Sequence, residues 1–80
     1  MPKKSCTINE VTFRKYLRAQ FDGTYNPFTE AYMISAIYDI SLEDIFEVIN
    51  HYEELKTKYS TAWEEEDKAA FERFRAQFNK

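Results

Sequence analysis

The stretch TINEVTFRKYLRAQFDG, residues 7–23, decides the fold class. Thr7 and Glu10 form a T-x-x-E capping box, a signal for a helix start. Phe13, Leu17 and Phe21 then recur at helical spacing with Tyr16 beside them, while Arg14 and Arg18 stack one turn apart on another face. Asp22-Gly23 ends the pattern. Gly23 is the only glycine in the chain, and its place just past the last periodic residue predicts a left-handed C-cap. The pattern predicts a helix over about 8–21.

The same logic carries through the rest of the chain. Asn26-Pro27 pairs a good N-cap with a good first helical residue, which predicts a second helix over 27–39. It is apolar almost all round (Phe28, Ala31, Tyr32, Met33, Ile34, Ala36, Ile37, Tyr38), a composition suited to the centre of a bundle or to an interface. Ser41 opens a third helix, 42–59. Leu42, Ile45, Ile49, Tyr52 and Tyr59 mark its apolar face, widened by Phe46, Val48 and Leu55. Thr61 and Glu64 form a second capping box ahead of a fourth helix, 62–78. There Trp63, Ala70, Phe71, Phe74 and Phe78 follow the helical period, with acids early and bases late to suit the helix dipole. No alternating strand pattern and no repeat competes. The expectation is a small all-α, four-helix domain over 8–80, preceded by a flexible basic tail over 1–7.

Charge is segregated along the chain. Residues 19–55 contain eight acids and seven aromatics but no lysine or arginine, whereas residues 1–18 hold five bases and one acid. The formal net charge of −3 conceals this division. Charge patterning of this kind speaks about partners more than about fold.

Several function classes are disfavoured. Cys6 and His51 are the only soft metal ligands and lie far apart, so no zinc-binding spacing exists. The acids do not follow a calcium-loop pattern. A single glycine leaves no phosphate-cradling loop, and no nucleophile–base set stands out, so the expectation is a non-enzymatic protein without metal or cofactor. A lone cysteine, no apolar N-terminal run and no membrane-length apolar stretch suggest a cytoplasmic protein. The link Asp39-Ile40-Ser41 has helix-turn-helix length. The helix after it, however, opens with Glu43, Asp44 and Glu47 where a DNA-reading helix needs bases.

Two surfaces remain as candidates. Like charges one turn apart on a helix are mildly unfavourable, so an acidic stripe without interspersed lysine is a candidate contact face. Its residues are Glu43, Asp44, Glu47, His51 and Glu54. The reading is a small acidic module that docks on a basic surface of a partner protein, in its sharper form an inhibitor that imitates phosphate charge at a nucleic-acid-binding groove. The alternative is a nucleic-acid-binding or regulatory protein using Lys3, Lys4, Arg14, Lys15 and Arg18. The many apolar faces of the second helix add a homodimer as a further expectation.

Overall fold

The computed structural model describes residues 8–78. Lys3, Lys4, Cys6, Thr7 and the predicted basic tail lie outside the described residues. The described chain is all-helical, with five helices rather than four: α1 (Glu10–Asp22), α2 (Ala31–Tyr38), α3 (Leu42–Asn50), α4 (Tyr52–Lys58) and α5 (Ser60–Phe78).

α1 is the centre. Its apolar stripe buries Phe13, Tyr16, Leu17 and Ala19 against the other elements. Ile34 of α2, Ile40, Ile45 and Val48 of α3, and Leu55 of α4 complete the core. α5 packs on α1 and on α4. The body is long and thin, 55 × 26 × 16 Å.

The caps explain where α1 begins and ends. Asn9 is the N-cap of α1, and its Oδ1 accepts from the Thr12 N–H at 2.8 Å. Glu10 opens the helix and pairs with Arg14 at 3.2 Å. Gly23 is the left-handed C-cap expected, at φ 70°, with its N–H bonded to the Ala19 carbonyl.

The predicted helix over 27–39 shortens to α2. Asn26 does cap a turn: its Oδ1 accepts from Phe28 N–H at 2.8 Å and its carbonyl from Glu30 N–H at 2.7 Å. Glu30 then leaves the helical region at φ −124°, ψ 30°, and the helix restarts at Ala31. Asp39 ends it in the left-handed conformation at φ 56°, a role that short polar side chains tolerate. Nor is α2 central. Only Ala31 and Ile34 are buried in it, while Tyr32 and Ile37 are exposed, as is Phe28 just before it. Eight residues against a thin body present one face to the core.

The predicted helix over 42–59 is split at His51, which sits at φ −118°, ψ 25°. The break turns Tyr52 inward. Its ring meets Phe13 and Tyr16 edge-on, at 6.2 and 6.3 Å between centroids, and its hydroxyl accepts from Gln20 Nε2 and Trp63 Nε1, each at 2.8 Å. The next break falls at Tyr59, and α5 starts at Ser60. Thr61 is therefore inside the helix and caps nothing. Tyr59 instead donates its hydroxyl to the Ile8 carbonyl at 3.4 Å, and its own carbonyl accepts from Trp63 N–H.

Candidate functional site

The acidic stripe spans two helices. α3 buries Ile45 and Val48, so the helical period turns Leu42, Glu43, Phe46 and Asn50 outward. Glu43 and Glu54 are exposed, and Glu47 and His51 are half-buried. Asp44 is half-buried in the first turn, where its backbone N–H donates to Ser41 Oγ at 3.1 Å. Negative charge at that position also suits the helix dipole. The His51 break moves Glu54 onto α4, and His51 Nδ1 lies 3.8 Å from Glu54 Oε1. The structure thus brings His51 and Glu54 together and sets Glu43 and Glu47 one turn apart on α3.

Two residues of this face carry the apolar period of the helix yet stand outside the core. Leu42 and Phe46 are 42% and 49% exposed. A stripe that also includes Ile45, Val48 and Ile49 covers most of the helix circumference, and one contact layer cannot cover it all. The result is an acidic surface with an aromatic ring and a leucine standing in it.

The basic set behaves differently. Arg14 Nη2 reaches Glu65 Oε1 at 2.7 Å, Nη1 reaches Glu66 Oε2 at 3.3 Å, and Nε reaches Glu10. These carboxylates, first of all the hydrogen bond to Glu65, hold its pKa above the usual guanidinium value. Lys15 Nζ contacts the Asp39 carbonyl at 3.0 Å and its carboxylate at 3.6 Å. Arg18 Nε lies 3.7 Å from Glu66 Oε1. Glu66 is itself buried, at 6% exposure. The bases of α1 are therefore engaged by carboxylates of the same chain, chiefly those of α5. Lys3 and Lys4 lie outside the described residues.

An apolar groove of about 430 Å³ opens between α1, the 27–29 turn and the α3–α4 junction. Tyr16, Gln20, Pro27, Phe28, Ile49 and Tyr52 line it. Burial, then the neighbouring Tyr52, pushes the Tyr16 hydroxyl pKa up to about 12. Among the described residues no three His, Cys, Asp or Glu side chains gather into a metal-holding group, and no helix is long and apolar enough to cross a membrane.

Comparison with protein-family models, curated proteins and solved structures finds no match for this chain.

Proposed function

We propose that the protein is a non-catalytic binding module whose outward α3–α4 face docks on a basic surface of a partner protein. The observation that carries this reading is the contrast between the two charged surfaces. The α1 bases are held in intramolecular ion pairs, whereas Glu43 and Glu54 stand exposed around the half-exposed Phe46 and Leu42, in a stretch without any lysine or arginine. Acids of one sign steer a basic partner to the face, and the apolar side chains supply contact area once it arrives. A nucleic-acid-binding protein, covered at its phosphate-binding groove, is the partner class that fits this chemistry best. The ion pairs of Arg14, Lys15 and Arg18 weigh against the alternative in which α1 itself binds nucleic acid.

The test is affinity capture from the native host with wild-type protein and with Glu43→Lys/Glu54→Lys. Both positions are exposed, so the fold tolerates the change. The wild-type chain retains a basic protein that elutes with salt, and the variant loses it. Equal retention by both proteins overturns the reading.

A further inference from the structure

Ile8 fixes where the chain enters the fold. It is buried, and its carbonyl accepts from the Tyr59 hydroxyl at the end of α4, at 3.4 Å. Residues 1–7 precede it with Lys3 and Lys4 and no acid. Seven extended residues span at most about 23 Å, and the four from Lys4 to Ile8 about 13 Å. Glu54 stands about 8 Å back along α4 from Tyr59 at the helical rise. Both lysines therefore have Glu54 and the adjoining α3 within reach. The acids there are Glu43, Asp44, Glu47 and Glu54, in the stretch 19–55 that has no lysine or arginine. Glu47 already has an interaction within the chain.

We propose that residues 1–7 fold back along α4 and lay Lys3 and Lys4 on the acids of the α3–α4 face, so that the chain's own basic segment competes with the basic partner. The competition rests on the docking reading above, whereas the contact itself needs no partner. Charge selects this destination over the acids at the start of α5. Those acids already stand among bases: Arg14 holds Glu65 at 2.7 Å, Lys56 lies over the Trp63 ring at 4.3 Å, and Lys58 lies over the Tyr59 ring at 5.3 Å. Like charges repel a second set of lysines from that end, while α3 offers acids alone. Exposed ion pairs are individually weak, but a seven-residue tether keeps these lysines at high local concentration beside the face. Two such pairs favour the covered state only a few-fold, which lowers the apparent affinity for a partner by about threefold. The segment is thus a brake on docking that a sufficiently basic partner displaces.

Carbodiimide coupling of the free full chain, mapped by mass spectrometry, tests the contact. The reagent joins a lysine amine to a carboxylate that touches it. Lys3 and Lys4 are expected to couple to Glu43, Glu47 or Glu54, with a yield that falls as salt is raised. No coupling to these acids, coupling only to Glu64, Glu65 or Asp67, or a yield indifferent to salt overturns the proposal. A binding titration of the captured partner against wild type and Lys3→Gln/Lys4→Gln tests the competition. Both substitutions precede Ile8 and leave the described fold unchanged. The variant is expected to bind about threefold more tightly, and equal or weaker binding overturns the brake. A partner indifferent to Glu43→Lys/Glu54→Lys overturns the docking reading instead, so the two failures are told apart.

Discussion

Removing Arg14 should destabilise this protein far more than removing Glu66, although the two side chains pair with each other. Glu66 is buried on α5. Its Oε2 accepts from Arg14 at 3.3 Å, while its Oε1 makes no hydrogen bond among the described residues and lies 3.7 Å from Arg18 Nε. Arg14, by contrast, keeps Glu10 and Glu65 as partners, and its side chain is 31% exposed. Arg14→Met therefore leaves a buried carboxylate facing one distant, exposed cation. Breaking a fully buried pair this way costs roughly 3–5 kcal/mol, and water access at Arg14 brings the expected loss to about 2 kcal/mol. Glu66→Leu removes the under-bonded carboxylate, leaves Arg14 two carboxylates, and adds apolar area where α5 crosses α1. Its expected effect is within about 1 kcal/mol of zero, on the stabilising side if the leucine packs well. The double variant should then be more stable than Arg14→Met alone. Urea unfolding followed by circular dichroism gives all three values from the midpoints. A Glu66→Leu loss equal to or larger than that of Arg14→Met would mean that the buried carboxylate is itself a net stabilising group.

Tyr16 should make stability fall at high pH. Its folded pKa of about 12 lies above the ordinary 10.0, so the unfolded chain loses the proton first, and the stabilisation, complete below pH 10, disappears as pH rises toward 12. Between about pH 9.5 and about pH 11.5 the wild-type chain should lose roughly 2 kcal/mol relative to Tyr16→Phe, and parallel pH profiles would contradict this. The two left-handed positions should respond oppositely. Gly23→Ala meets no atom within 4 Å yet strains the backbone at φ 70°, costing about 1 kcal/mol. Asp39→Gly relieves φ 56° at the expense of one exposed ion pair and should gain roughly half a kcal/mol. Thermal melts of both variants check the signs.

The helical class and the first helix with its glycine stop were legible because they depend on local rules, namely a period, a cap and a left-handed residue. What was not legible depends on contacts distant in sequence. His51 is neither glycine nor proline, and nothing near it in the chain signals a break. The break serves Tyr52, whose partners Gln20 and Trp63 lie in α1 and α5. Helix two read as central because periodicity shows which faces are apolar but not how many find cover. In a body 16 Å thick, Tyr32 and Ile37 remain exposed. The candidate face was half visible. Glu43 and Glu54 could be placed outside by pattern, whereas Phe46 and Leu42 could not be told from core residues. The fate of Arg14 was invisible, since Glu65 and Glu66 lie more than fifty residues away along the chain.

In the proposed complex the acids of α3 and α4, not the bases of α1, make contact with a partner. The most direct measurement is a side-by-side binding titration of the captured partner against three proteins: wild type, Glu43→Lys/Glu54→Lys and Lys15→Glu/Arg18→Glu. The acid-reversed variant should lose tenfold or more in affinity while the base-reversed one binds nearly as wild type does, a difference of about 1.4 kcal/mol or more. Loss of binding in the base-reversed variant with the acid-reversed one unaffected would contradict it.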